Sequence, residues 1–182
     1  MKKYNVGLVI GRFQPLHKGH EMMIESALDH CNKVVVVIGS AQASGTKENP
    51  LNWADRYTIL LKRFREECDS QRLFVIPVND REKYSDDPSF GEYIHKQITS
   101  TLGSEFTPDC IIEGKESKHS DWWKSVSPRG HIEVDRCDID VSGTALRNAI
   151  GNSDKEYINK YQSVESQEYN FKIWEIMNRC NK

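Results

Sequence analysis

Apolar positions along this chain follow two alternating rhythms. Short unbroken runs, "YNVGLVI" (Tyr4 to Ile10), "KVVVVIG" (Lys33 to Gly39) and "LFVIPV" (Leu73 to Val78), are rich in branched side chains and too short for helices. They predict strands buried on both faces, as in a parallel sheet. Between the first two, Met22, Met23, Ile24, Ala27 and Leu28 recur at three- and four-residue spacing, which predicts a helix with one apolar face. Trp53, Tyr57, Leu60, Leu61 and Phe64 mark a second helix, with Asn52 as its cap and Asp55 in its first turn. Beyond strand three the pattern predicts a helix over "EYIHKQITSTL", a fourth strand at "DCIIEG", a weaker fifth at "HIEVD" and a short helix at "SGTALRNAI". A last helix is expected over residues 165 to 179, carrying Tyr169, Ile173, Trp174, Ile176 and Met177. Strands alternating with helices imply an α/β fold with a doubly wound parallel sheet.

Composition narrows the picture. A chain of 182 residues suits one domain, with the sheet and its helices over about 4–150 and a helical segment over about 153–180. Charged residues make up 29% and the net charge is −2, so neither disorder nor general polyanion binding is indicated. No nucleic-acid partner is expected, and any basic site must be local. Arg12 interrupts the first apolar run far short of a signal or membrane segment, so a cytoplasmic protein with no membrane partner is expected. Five cysteines, Cys31, Cys68, Cys110, Cys137 and Cys180, lie far apart without a CxxC pair, which argues for reduced thiols.

The chemistry concentrates in "GRFQPLHKGH", directly after the first strand. Ligands of open α/β sheets bind beyond the carboxyl ends of the strands, and this segment lies there. Gly11 permits a tight exit, Pro15 restricts where the helix begins, and Gly19 allows close backbone approach. A helix starting near Lys18 directs its unpaired N–H groups and dipole to the same place as His17 and His20, which makes an anion site. Neither GxGxxG nor GxxxxGK[ST] is present, so the dinucleotide fingerprint and the P-loop are absent.

"HKGH" resembles the HxGH signature of the adenylyl- and cytidylyltransferase superfamily, and "VSGTALR" (Val141 to Arg147) resembles its second signature. More narrowly, "GRFQPLHKGH", "IGSAQASGTKENP" and "SGTALR" are similar to the archaeal type of nicotinamide mononucleotide adenylyltransferase. The middle segments, "VNDREKYSDDPSFGEYIHKQI" and "IIEGKESKHSDWWKSV", resemble the form fused to a Nudix hydrolase. No Nudix signature follows, so hydrolase activity is not carried over.

The resemblance implies a Rossmann-like nucleotidyltransferase fold that joins ATP and nicotinamide mononucleotide into NAD and pyrophosphate. On that reading His17 and His20 bind the α-phosphate, and Arg147, with Ser142, Gly143 and Thr144, holds the β and γ phosphates. Gly11, Arg12, Phe13, Gln14, Lys18 and Gly19 form the ATP loop, with Gly114, Lys115, Glu116 and Ser117 bordering the adenosine. Arg12 in a structural salt bridge is the alternative to phosphate contact. The mononucleotide side comprises Gly39, Ser40, Ala41, Lys47, Arg56, Asp80 and Phe90, although residues 39–50 also suit a solvated loop and Arg56 an exposed helical position. Asp80 would accept from the nicotinamide amide. The family's ring-stacking tryptophan is replaced by Phe90, with Tyr84 a competitor. Mg²⁺ is expected to arrive with ATP, and a homo-oligomer is expected. His30, His95, His119 and His131 lack metal-ligand spacing, and the adjacent Trp122 and Trp123 favour packing. Rival readings are pantetheine-phosphate adenylyltransferase, a cytidylyltransferase, or a nucleotide sensor without turnover.

Overall fold

The computed structural model describes residues 2–81, 89–115, 129–135, 139 and 141–179. Five strands, β1 (Tyr4–Gly11), β2 (Cys31–Ile38), β3 (Leu73–Pro77), β4 (Cys110–Gly114) and β5 (His131–Val134), form one sheet in the order β3-β2-β1-β4-β5. Every pairing is parallel. The register runs Tyr4↔Cys31 to Gly11↔Ile38 between β1 and β2, and Gly7↔Cys110 marks the start of the β1–β4 pairing.

The uninterrupted apolar runs are explained by the two layers that cover the sheet. Alternate residues of a strand face opposite sides. Val34, Val36 and Ile38 accordingly join one core cluster, and Val35 and Val37 join another. The first is covered by α1 (Lys18–His30), through Ile24 and Ala27, and by α2 (Trp53–Arg63), through Ile59 and Leu60. The second is covered by α4 (Ser89–Leu102), through Ile94 and Ile98. A short α3 (Arg65–Asp69) extends α2 beyond a break at Phe64. The helix before β4 begins at Ser89, three residues ahead of the expected Glu92.

The C-terminal region departs most from the pattern. The short helix expected at "SGTALRNAI" forms as α5 (Gly143–Gly151), an unexpected α6 (Lys155–Tyr161) follows it, and the single helix expected over residues 165 to 179 is divided into a 3₁₀ stretch (Val164–Tyr169) and α7 (Asn170–Met177). Asp154 caps α6, accepting from the Tyr157 N–H, and Ser166 turns its hydroxyl to the Ser163 carbonyl at 2.8 Å. Serine and aspartate bonding local backbone groups compete with a continuous helix. The apolar spacing recorded which residues face the core, Ile173 and Ile176 among them, but not these interruptions.

The strand order places the functional end of the sheet. The chain moves from β1 to β2 and β3 on one side and then to β4 and β5 on the other, so the switch in strand order falls between the parallel neighbours β1 and β4, where open α/β sheets bind ligands at the carboxyl ends of the strands. Among the described residues no helix is long and apolar enough to cross a membrane.

Candidate active site

The loop leaving β1 is held from below by its own aromatic residue. Phe13 has a left-handed backbone (φ 51) and is buried. Its ring folds under Gly11, where an added Cβ would lie 3.0 Å from Phe13 Cζ. Gln14 is buried as well, and its amide bonds both ways to Leu51: Nε2 donates to the Leu51 carbonyl at 2.7 Å, and the Leu51 N–H donates to Oε1 at 2.9 Å. Its side chain therefore ties the β1 loop to the β2 loop.

Arg56 performs a related task, and its position differs from the exposed one a helix surface would offer. It is 0% exposed. A capping box at the start of α2 fixes that turn: Asn52 Oδ1 accepts from the Asp55 N–H, and Asp55 Oδ2 accepts from the Asn52 N–H. From this platform the guanidinium donates to four backbone carbonyls, those of Asn52 (3.2 Å), Arg12 (2.9 Å), Gly39 (2.8 Å) and Ser40 (3.1 Å). Burial pulls its pKa down to about 10, so it stays protonated at neutral pH. Four of its five N–H groups are spent on carbonyls, which makes it a brace beneath the loops that leave β1 and β2.

The second signature closes over the first. Ser142 caps α5 by accepting from the Ala145 N–H at 3.1 Å. Arg147, 5% exposed, donates from Nη1 to the Gln14 carbonyl (2.9 Å) and from Nη2 to Thr144 Oγ1 (3.0 Å). An added Cβ at Gly143 would sit 3.2 Å from Arg147 Nη1 and 3.3 Å from the Gln14 oxygen, so a side chain there would press on both segments at their close approach. A cavity of about 200 Å³ lies between them, with Arg12, Phe13 and His20 on one wall and Gly143, Thr144 and Arg147 on the other. Burial lowers the Arg147 pKa, the nearby positive Arg12 lowers it further, and Glu48 partly offsets both. Two guanidinium groups thus share a confined space, which an anion would relieve.

The two histidines divide their positions. His20 lines the cavity. His17 is 2% exposed and stacks on His20, with ring centroids 3.7 Å apart and planes 19° apart. His17 is also the N-cap of α1, its Nδ1 accepting from the His20 N–H at 3.4 Å. With Nδ1 an acceptor, the proton of the neutral ring is on Nε2, a donor suited to a phosphate oxygen. Phe13 packs on the His20 ring at 4.8 Å. Lys18 is exposed and Gly19 buried in the first turn of α1.

The remaining candidates gather at the neighbouring strand ends. Gly39 donates to the Gly11 carbonyl and Ala41 to that of Val78. Ser40, in a left-handed conformation (φ 48), donates from Oγ to Asp80 Oδ1 at 3.0 Å. Gln42, which residue-level reading missed, binds Asp80 twice: its Nε2 donates to Oδ2 (2.9 Å), and its Oε1 accepts from the Asp80 N–H (2.9 Å). Lys47 is exposed. Phe90 is half-buried against the core cluster under α4, a packing role beside any ligand contact. Gly114 ends β4, and Lys115 pairs with Asp135 at 3.0 Å. Tyr84, Glu116, Ser117, His119, Trp122 and Trp123 lie outside the described residues. His30 contacts the Ser26 carbonyl, His95 Thr107 and His131 Glu113. Among the described residues no group of three or more His, Cys, Asp or Glu side chains could hold a metal.

A parallel sheet whose first strand leads into an HxGH helix start, met by a serine-capped helix bearing an arginine, defines a nucleotidyltransferase architecture. A family model described as cytidylyltransferase-like matches residues 8–153, and the chain belongs to that family. The nicotinamide-nucleotide adenylyltransferase of Pyrococcus horikoshii is 40% identical over 74 residues, 41% of this chain and 40% of that protein. The protein of the same name from Aeropyrum pernix is 47% identical over 75 residues, 40% of this chain and 43% of that protein. The alignments thus span about two fifths of the length of these curated relatives. The crystal structure of a bifunctional NMN adenylyltransferase/ADP ribose pyrophosphatase from Francisella tularensis superposes with a TM-score of 0.66 at 24% identity, covering 82% of this chain and 43% of that one. A second structure of that enzyme is complexed with AMP and a manganese ion.

Proposed function

We propose that the protein transfers AMP from ATP to nicotinamide mononucleotide, forming NAD and releasing pyrophosphate. The observation that carries this reading is the one cavity shared by Arg12 of the β1 loop, His20 in the first turn of α1 and the buried Arg147 of α5. A polyphosphate offsets the burial of Arg147 and its repulsion by Arg12, and arginine's fork suits its paired oxygens. The names of the archaeal relatives supply the acceptor.

The mononucleotide's 5′-phosphate is already an anion near neutral pH, so no general base is needed. Its oxygen forms a bond to the α-phosphorus while the bond from that phosphorus to the β-bridging oxygen breaks, and the electron pair leaves with pyrophosphate. Catalysis is then positioning and charge stabilisation. His17 and His20 stabilise charge on the α-phosphate, and Arg147 with the Ser142–Thr144 turn receives the pyrophosphate. The β2 and β3 exits, with Gly39, Ser40, Ala41 and Asp80, receive the mononucleotide. Mg²⁺ bound to ATP lowers the charge of the triphosphate. The manganese of the Francisella structure supports divalent metal use, here carried on phosphate and water. Free thiols at Cys31, Cys68 and Cys110 support a reducing, cytoplasmic setting.

The test is to supply the purified protein with ATP, Mg²⁺ and, in turn, nicotinamide mononucleotide, phosphopantetheine or a CTP couple, following pyrophosphate and dinucleotide. NAD formation is expected, with His20→Ala at least ~100-fold slower. Product from another couple only, or NAD binding without turnover of any acceptor, overturns the proposal.

A further inference from the structure

Four polar residues of the C-terminal segment, Gln162, Ser163, Ser166 and Asn170, take no part in the chemistry proposed above, yet three of them are sealed from solvent. Gln162, Ser163 and Ser166 are 1%, 2% and 0% exposed. A buried polar side chain is unfavourable unless it is bonded, so their partners indicate what they are for. Those partners lead back to the β1 loop, some 150 residues earlier. Ser166 Oγ donates to the Leu16 carbonyl at 3.1 Å, sharing its proton with the Ser163 carbonyl at 2.8 Å, and the Ser163 N–H approaches the same Leu16 oxygen at 3.4 Å. His17 and Gln162 form an isolated antiparallel bridge.

The Leu16 oxygen lies in the same rigid peptide plane as the His17 nitrogen. Fixing that oxygen fixes the plane from which the His17 backbone departs. His17 must hold an extended conformation (φ −143, ψ 166) for its ring to reach the His20 N–H as a cap, and the same conformation stacks it on His20. The Gln162 side chain bonds within the C-terminal segment. It forms a closed pair of hydrogen bonds with Asn170 at the start of α7, Nε2 donating at 2.7 Å and Oε1 accepting at 3.0 Å. That pair joins the two ends of the segment and holds Ser163 and Ser166 against the loop. Lys172 on α7 pairs with Asp55 at the base of the Arg56 platform, so the segment is anchored to the other substrate loop as well.

We infer that Ser166 and the Gln162–Asn170 amide pair are positioning residues for the histidine pair: the C-terminal segment is a clamp that sets His17, and through the stack His20, at the α-phosphate. The inference rests on the adenylyl-transfer reading for its kinetic arm only. Misplacing a catalytic group by about 1 Å costs on the order of 100-fold in rate, and loss of one hydrogen bond in the clamp allows part of that movement.

The test compares Ser166→Ala and Asn170→Asp with Ser166→Thr, which keeps the hydroxyl, and with Ile98→Val, which loosens the opposite face of the sheet. Expected are a kcat lowered by about tenfold or more in Ser166→Ala and Asn170→Asp with KM for both substrates within about threefold, recovery in Ser166→Thr, and wild-type kcat in Ile98→Val. In the same proteins, NMR of the imidazole ring protons should show the His17 and His20 signals displaced in Ser166→Ala and unmoved in Ile98→Val. A Ser166→Ala protein with wild-type kcat and unmoved histidine signals overturns the clamp. So does a kcat loss that Ile98→Val reproduces at equal loss of melting temperature. If Ser166→Ala does not fold, Asn170→Asp, at a half-buried position, decides alone. Should the wild type form no NAD, the adenylyl-transfer reading fails while the NMR comparison still decides the clamp.

Discussion

Replacing Arg56 with methionine discriminates a brace beneath the substrate loops from a helical surface residue. The substitution keeps most of the side-chain length and removes four donated hydrogen bonds, to Asn52, Arg12, Gly39 and Ser40. Hydrogen bonds from a charged donor contribute roughly 1.5–3 kcal/mol each, and an acceptor left unsatisfied costs about 1–3 kcal/mol. The acceptor residues are half-buried or exposed, so water replaces part of the loss, and the low end of the range applies: about 4 kcal/mol over four carbonyls. Methionine returns some apolar burial and removes the desolvation of a fully buried charge, which lowers the net cost to about 2–3 kcal/mol. That is a large share of a typical stability of about 5–15 kcal/mol but compatible with folding. Urea denaturation followed by circular dichroism measures it, and the m-value reports whether the native state stays compact. Steady-state NAD formation should show KM for the mononucleotide raised more than KM for ATP, because Gly39 and Ser40 lose the donor that holds their carbonyls. Arg56→Lys, reaching one or two of the four acceptors, should fall between. An Arg56→Met protein within ~0.5 kcal/mol of wild type, as for an ordinary surface change, with unaltered KM would refute the brace.

Three further outcomes follow from local geometry. Gly143→Ala pushes a methyl group to 3.2 Å from Arg147 Nη1 and 3.3 Å from the Gln14 oxygen, so kcat should drop about tenfold or more with the protein still folded; unchanged turnover in the pyrophosphate assay would remove the tight bridge between the two signatures. Gly39→Ala meets no protein atom nearer than the Gly11 oxygen at 3.8 Å, so its melting temperature should match wild type while KM for the mononucleotide rises; a matching KM would mean that no ligand approaches there. Burial, with Glu67 and Asp69 adding to it, pushes the Cys68 thiol up to about 11, so its alkylation by iodoacetamide, read by peptide mass mapping, should be slow at pH 8 and accelerate as pH rises toward 11; half-maximal labelling near pH 8.5, the value of an unperturbed thiol, would contradict that environment.

Much of the site was legible where its information is local. The HxGH turn, the serine cap before "GTALR" and the Asn52 cap each depend on residues within three or four positions, and each occurs as the spacing implies. Arg56 and Gln14 were flagged by resemblance, yet most of their partners are backbone groups 16 to 44 positions away, which no local pattern records. Gln42 was visible only as a letter of "GSAQ", since its partner Asp80 belongs to another strand end. The C-terminal helix was overextended because apolar periodicity reports the buried face and is blind to a serine that bonds its own backbone.

By itself the sequence determined the five strands, the helices α1, α2, α4 and α5, the parallel character of the sheet and the two segments proposed to carry the phosphate chemistry. These follow from side-chain period, branching and capping, all short-range properties. Tertiary structure alone decided the strand order and the cavity between the β1 loop and the start of α5. It decided that His17 is a sealed cap stacked behind His20, and that Arg147 reaches the Gln14 carbonyl across 133 positions of chain. It also brought Ser166 to the Leu16 carbonyl, 150 residues apart. Backbone carbonyls are identical at every residue, so which one an arginine or serine meets is set only when the sheet has brought distant loops to the same edge.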